Sequence, residues 1–429
     1  MNTFVIQGGK KLHGTVPVQG AKNAAAPIIA ATVLIEGTVT LHNVPKISDV
    51  ITMLSILEDM GARIRWTGHN SVELTTGSLD VAKMDYGKVS KIRASILFLG
   101  CLAHRFGSIR MSLPGGCKIG SRPVDAHLEA LRELGFAATV TDDYFDVHRS
   151  GPAADVIVMK EFSVTATENA IVAAVLGKKK VTIKCCAAEH VVQDLCWFLQ
   201  AAGAHIDGIG THTVGIRPVA SLSGCSYTIM PDPIDAGSFI ALAAATQSEL
   251  VIQGVAPDFL SLEMKKFEEI GLQFEIDKER RDPGDHYVLA DIHPKKIRTL
   301  RALKKLHSMP YPGFAADLLQ PFTLVLTQAQ GISLVHDWMY DGRFRYVTEL
   351  QSMGANITIL DPHRILVIGP TPLYGKELTG YDLRAGMTLI MAGLVAEGTT
   401  KIHGADQVDR GYERLDQRLT GIGAMISRE

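Results

Sequence analysis

The stretch SLPGGCKIGSRPVD (112–125) places Cys117, one of only six cysteines, between a glycine pair and Lys118, with Arg122 and Asp125 following within eight positions. A structural cysteine prefers apolar neighbours. Here the neighbours are glycine and positive charge. A free thiol has a pKa of about 8.5, so at neutral pH it is protonated yet able to give its proton up. Glycines let such a stretch move and approach closely. Lys118 favours the thiolate, the nucleophilic form.

A second set of reactive residue types stands at the beginnings of apolar segments: Lys22-Asn23, Arg93, Thr165 to Glu168, Asp232 and Asp235, Asp317, and Asp382 with Arg384. If these segments are helices, their first N–H groups are unpaired and suit anions. Asp and Thr read there as N-caps, Asp317 included. Lys22, Arg93 and Arg384 break the local rule, because a cation opposes the helix dipole, and such breaks mark function. An anion held against them resolves the conflict, and arginine meets carboxylate or phosphate through two parallel contacts.

The elements that position these residues repeat six times. A short alternating strand leads through a linker to an amphipathic helix, which ends in a hydrophobic residue and a glycine. The glycines are Gly61, Gly135, Gly203, Gly271, Gly354 and Gly423, spaced 74, 68, 68, 83 and 69 residues apart. Glycine there fits the left-handed residue that ends a helix. Each copy is preceded by a segment apolar almost all round, such as NAAAPIIAATVLIEG or RAGMTLIMAGLVAEG, and a helix without a polar face must be buried. The pattern predicts an α/β protein of two domains, each with three units, three buried inner helices and a wall of sheets and outer helices. The functional starts of the inner helices then share one side of each domain, and two facing domains form a cleft lined with Lys, Arg and Asp.

The 429 residues are 46% hydrophobic and 21% charged, with a net charge of −2. This is the balance of a globular protein and argues against a nucleic-acid or membrane-surface partner. The N-terminus MNTFVIQGGKKLHG does not read as a signal peptide, and apolar runs such as 24–35 are too short for a bilayer. A cytoplasmic protein with free thiols is expected. No Cys/His set has zinc spacing, so neither metal nor other cofactor is implied.

Taken together, GAKNAA (20–25), IRASILFLG (92–100), LPGGCKIGSRPVDAHL (113–128), PDPIDAGSF (231–239), PGFAADLLQPFTL (312–324), GRFRYVTELQSMGA (342–355), DLRAGMTLIMAGLVAEGTT (382–400) and VDRGYERLDQRL (408–419) resemble the enolpyruvyl transferases. The resemblance covers nearly the whole length. The PGGC loop places the chain with the branch acting on UDP-N-acetylglucosamine rather than with the shikimate enzymes. It implies two inside-out α/β barrels of three units each, one of residues 22–231 and one of 1–21 plus 232–429, with the first strand paired in the C-terminal half and the active site in the cleft between the barrels. The substrates it implies are phosphoenolpyruvate and UDP-N-acetylglucosamine, with no obligate protein partner.

By the same resemblance Lys22 and Asn23 match the phosphoenolpyruvate pair. Arg93 and Arg122, Pro123, Val124, Asp125 and Ala126 match nucleotide-sugar contacts, Arg122 lying also near phosphoenolpyruvate. Ser163, Val164 and Thr165 match backbone contacts to the uridine diphosphate, Met339 a further nucleotide-sugar contact, and Arg384 and Arg410 the phosphate and carboxylate pocket. Cys117 matches the proton donor and Asp317 the residue near the attacking hydroxyl, the best candidate to accept its proton. The chain departs from the family pattern at Glu161, Val191 and Gln407, all three expected on the nucleotide-sugar side or in its surroundings, while Glu189 is kept. Two alternatives follow: a paralogue that uses another nucleotide acceptor, and a non-catalytic nucleotide-sugar sensor. Retention of Lys22, Cys117 and Asp317 together speaks against the sensor.

Overall fold

Six glycines end six helices in one way. Gly61, Gly135, Gly203, Gly271, Gly354 and Gly423 all have positive φ, from 86° to 108°, the left-handed geometry that costs an L side chain strain and glycine little. At Gly61, Gly203, Gly271, Gly354 and Gly423 the next N–H also turns back to a carbonyl of the last helical turn, as Ala62 does to Leu57. The structure is a computed structural model describing residues 3–115, 123–295 and 299–429.

Twelve helices carry the repeat: α1 (Lys22–Ala31), α2 (Ser48–Asp59), α3 (Phe98–Phe106), α4 (Asp125–Glu133), α5 (Val164–Ala174), α6 (His190–Ala201), α7 (Pro233–Thr246), α8 (Ser261–Glu269), α9 (Leu319–Thr327), α10 (Arg345–Ser352), α11 (Leu383–Val395) and α12 (Leu415–Gly421). The odd-numbered helices are the inner ones. Every residue of α7 and α9 is buried, as is Leu383–Leu394 of α11. The even-numbered helices bury one face only, Phe267 with Glu263 in α8 and Leu415 with Leu419 in α12. Among the described residues no helix is long and apolar enough to cross a membrane.

The described residues fall into two compact units, one between Gly20 and Met230, the other of Pro231–Glu429 with the N-terminal stretch up to Gln19. In the first, α1, α3 and α5 pack on one another; in the second, α7, α9 and α11 do. Each unit has three main sheets. Five of the six are four-stranded with one pairing pattern: a parallel strand, the strand entering the outer helix, and then two antiparallel strands, both of which follow that helix in four of the five. The sheet of Ser108–Ser112, Tyr144–Arg149 and Phe136–Val140 has three described strands.

The last sheet shows why the N-terminus belongs with the C-terminal half. Its outer helix α12 is followed by the edge strand Met425–Arg428, which leaves a place between itself and Thr399–His403. Thr3–Gln7 fills it, antiparallel to both neighbours. Thr3 and Glu429 exchange backbone hydrogen bonds of 2.9 Å each. The repeat is thus closed by the opposite end of the chain.

Candidate active site

In the 20–230 unit, α1 starts at Lys22 behind Ala21, which has no side chain to cap it, and the first turn holds no acidic residue. The ammonium is compensated from elsewhere: Lys22 Nζ lies 2.6 Å from Oδ2 of the buried Asp49, the second residue of α2. Asn23 beside it is exposed. Arg93 opens a 3-10 turn, Arg93–Leu97, that leads into α3 and packs against α1. Its Nη2 reaches the Pro123 carbonyl at 3.5 Å. Pro123 and Asp125 are exposed, Val124 half-buried and Ala126 buried at the start of α4. Ser163 caps α5, accepting the Ala166 N–H at 3.4 Å, with Val164 and Thr165 in the first turn. The structure thus gathers Arg93 and 123–126, and ties 163–165 to the same α4 start.

The tie runs through two residues that local sequence does not point to. Asn169 Oδ1 accepts the Gly100 N–H at 2.7 Å, while Nδ2 donates to the Ile96 carbonyl at 3.0 Å. A Cβ on Gly100 would sit 2.5 Å from the Asn169 carbonyl, so only glycine lets α3 and α5 approach this closely. The amide orientation is fixed by those two bonds. Nδ2 therefore also donates to His127 Nδ1 at 3.0 Å, and the ring proton belongs on Nε2, which meets Thr165 Oγ1 at 3.1 Å. In that arrangement the Thr165 hydroxyl accepts from the ring.

In the 231–429 unit the charges are locked together. Asp317 lies in the 3-10 turn Ala316–Leu318 before α9 and caps nothing, contrary to the N-cap expectation. Its Oδ1 accepts from Arg343 Nη2 at 2.8 Å and its Oδ2 from Arg384 Nε at 3.0 Å. Burial would raise the Asp317 pKa, but the charges of Arg384 and Arg343 overcome it and hold the carboxyl far below the usual range. So held, Asp317 is a weak base. Arg384, the second residue of α11, is 4% exposed, and Arg343 is 7% exposed. Arg343 Nε and Nη1 are buried without a hydrogen-bond partner among the described residues, a costly state that an anion would relieve. Arg343 lies within the GRFRYVTELQSMGA segment but carried no separate signal there.

Asp232 and Asp382 are N-caps as expected, of α7 and α11. Burial pushes Asp232 up to about 6, with nearby Asp235 adding to the rise and Arg384 opposing it. Met339 is half-buried and its N–H donates to the buried Asp337 at 3.2 Å. Arg410 Nη1 meets Gln407 Oε1 at 3.5 Å. Gln407, one of the three departures from the family pattern, is thus next to the arginine that the resemblance assigns to the phosphate and carboxylate pocket. Of the other two departures, Glu161 is exposed and Val191 buried in α6.

The loop carrying Arg410 and Tyr412 is fastened by Gln19, whose Nε2 donates to the Gly411 carbonyl at 2.7 Å while Oε1 accepts the Glu413 N–H at 2.8 Å. Arg418 forms a two-point ion pair with the fully buried Asp235, at 2.9 and 2.7 Å, and supports the same corner. Cys117 and Arg122 lie outside the described residues.

The chain is similar to known proteins along its length. A family model described as EPSP synthase (3-phosphoshikimate 1-carboxyvinyltransferase) matches residues 6–419. Relatives named UDP-N-acetylglucosamine 1-carboxyvinyltransferase are 40% identical: that of Bradyrhizobium diazoefficiens over 99% of this chain and 97% of its own, and that of Deinococcus deserti over 98% and 96%. Two solved structures share the fold at lower identity. The enolpyruvyl transferase NikO of Streptomyces tendae has a TM-score of 0.88 at 22% identity, covering 100% of this chain and 99% of its own. EPSP synthase from Acinetobacter baumannii has a TM-score of 0.73 at 19% identity, covering 100% of both chains. With a family match running from residue 6 to 419 and relatives similar from end to end, the chain belongs to the EPSP synthase family of carboxyvinyl transferases.

Proposed function

We propose that this protein transfers the enolpyruvyl group of phosphoenolpyruvate to the 3-hydroxyl of UDP-N-acetylglucosamine and releases phosphate, the first committed step of peptidoglycan precursor synthesis. The observation that carries the chemistry is one carboxylate, Asp317, held between two buried arginines that keep unused donors. The acceptor follows from the relatives bearing that name, 37–40% identical over their full length. Shikimate-type structures are far more distant, at 19%.

The reaction is addition followed by elimination. The sugar hydroxyl oxygen bonds to C2 of phosphoenolpyruvate and loses its proton, while C3 gains one, giving a tetrahedral ketal. The C2–O bond to phosphate then breaks, phosphate leaves with the electron pair, and C3 returns a proton to restore the vinyl group. Cys117 is the donor to C3 in this reading, and Asp317 accepts the hydroxyl proton.

For that, Asp317 must become more basic than its two arginines allow. The substrate supplies the means. When the anionic groups of phosphoenolpyruvate take the open donors of Arg343 and Arg384, the same positive charge serves two acceptors and its hold on Asp317 weakens. Lys22, Arg122 and Arg410 add charge where the ketal accumulates it. The Thr165 hydroxyl and the capped end of α5 offer donors to the diphosphate. Phosphate release from phosphoenolpyruvate, measured against a panel of nucleotides and nucleotide sugars, tests the reading. UDP-N-acetylglucosamine should support it best. Release with another nucleotide and not with this one would replace the acceptor and leave the donor chemistry standing.

A further inference from the structure

Arg384 is held at a second point that the reaction scheme does not use. Its Nη1 donates to Tyr412 Oη at 3.0 Å, and its guanidinium carbon lies 5.3 Å from the centroid of the Tyr412 ring. Tyr412 is 1% exposed. On its far side Oη lies 3.3 Å from Ser238 Oγ, and Ser238 Oγ donates to the Ile234 carbonyl at 2.7 Å.

The direction of this chain is fixed by counting protons. Serine has one hydroxyl proton and spends it on Ile234, so towards Tyr412 it can only accept. The tyrosine proton therefore points at Ser238, and an oxygen lone pair faces Arg384. Every bond runs one way, from Arg384 through Tyr412 and Ser238 to a backbone carbonyl of α7. Burial pushes the Tyr412 hydroxyl up, so it stays protonated and the polarity holds. Tyr412 cannot drift, because Gln19 fastens the residues on both sides of it. With Nε on Asp317 and Nη1 on Tyr412, Arg384 Nη2 makes no hydrogen bond among the described residues.

We propose that Tyr412 is a positioning residue for the enolpyruvyl donor: by accepting from Arg384 Nη1 it aims the remaining guanidinium donors at an anionic group of phosphoenolpyruvate. The inference rests on the reading of Arg384 as an anion contact given above. Tyr412→Phe removes the acceptor and keeps the ring. Binding of phosphoenolpyruvate, measured by calorimetry, should weaken about tenfold, the size expected for a hydrogen bond to a charged group. KM for UDP-N-acetylglucosamine should stay within about twofold, a split that a merely structural loss would not give. Because Tyr412 acts through Arg384, the double variant Tyr412→Phe/Arg384→Lys should bind no worse than Arg384→Lys alone. Ser238→Ala keeps the tyrosine hydroxyl but frees its proton, and should weaken binding about threefold; it answers the question if Tyr412→Phe does not fold. Unchanged phosphoenolpyruvate binding in Tyr412→Phe, or in Ser238→Ala if that is the variant that folds, would overturn the proposal. So would additive losses in the double variant, or equal losses for both substrates. A wild-type protein that binds phosphoenolpyruvate but does not turn over UDP-N-acetylglucosamine would overturn the acceptor reading alone. One that binds no phosphoenolpyruvate would overturn both.

Discussion

The two units place functional residues at the same points, the starts of their inner helices, and hold them by different means. In the 20–230 unit the holding bonds are mostly neutral: Ser163 caps α5, and Asn169 and His127 orient Thr165. Its close ion pair at a site residue, Lys22 with Asp49, sits beside an exposed asparagine. In the 231–429 unit the site residues form a charged cluster, Arg343, Asp317 and Arg384, extended by Tyr412 and Ser238. A shared scaffold thus fixes where chemistry can sit, and residue type decides which chemistry it is. Neutral oriented donors suit a large polar acceptor read by shape. Buried arginines with spare donors suit a small, doubly anionic donor.

That contrast orders the expected effects. Cys117→Ser should abolish turnover, since a hydroxyl is far too weak an acid, whereas Cys117→Asp should keep a trace measurable by phosphate release. The anionic epoxide fosfomycin should label Cys117 ahead of the exposed Cys185, which peptide mapping would show. Arg384→Ala or Arg410→Ala should cost about 2–4 kcal/mol in kcat/KM, with lysine a poor rescue because it cannot meet two oxygens in one plane. Near-normal turnover in Arg410→Ala would mean the pocket has been misplaced.

A smaller effect separates the units by pH. Asp232 has its native pKa pushed up to about 6, mainly by burial. Between the unfolded value near 4 and about 6 the native state binds more protons, so stability falls as pH rises through that window. Asp232→Asn keeps the cap on α7 and removes the titration. It should match wild type near pH 4 and exceed it by roughly 2 kcal/mol at pH 7 and above, read by denaturant unfolding. Smaller still, Asn169→Leu should raise KM for the nucleotide sugar about fivefold, through lost orientation of His127 and Thr165, with little change for phosphoenolpyruvate.

Much of this was legible in the sequence for a physical reason. A helix that is apolar all round has nowhere to go but inside, and a glycine after a periodic segment marks a left-handed end, so the sixfold plan follows from local signals. Lys22 and Arg384 stood out because a cation at a helix start is locally unfavourable. What local signals could not give is partnership across the chain. Gln19 and Gly411 are 392 positions apart, and Arg384 and Asp317 are 67 apart. Asp317 read as a cap because its type and place fit one, and only the fold shows both oxygens taken by arginine. The contact of Gln407 with Arg410 was hidden for the same reason, since it depends on how the turn between them folds.

The reading of the charged cluster as the seat of the donor's anionic groups has one direct test, the pair of KM values in Arg343→Ala. Arg343 touches Asp317 and no other described hydrogen-bond partner, so the account predicts at least a tenfold rise in KM for phosphoenolpyruvate, with KM for UDP-N-acetylglucosamine within about twofold of wild type. An equal rise in both would contradict it, because the charged cluster would then serve the acceptor as much as the donor.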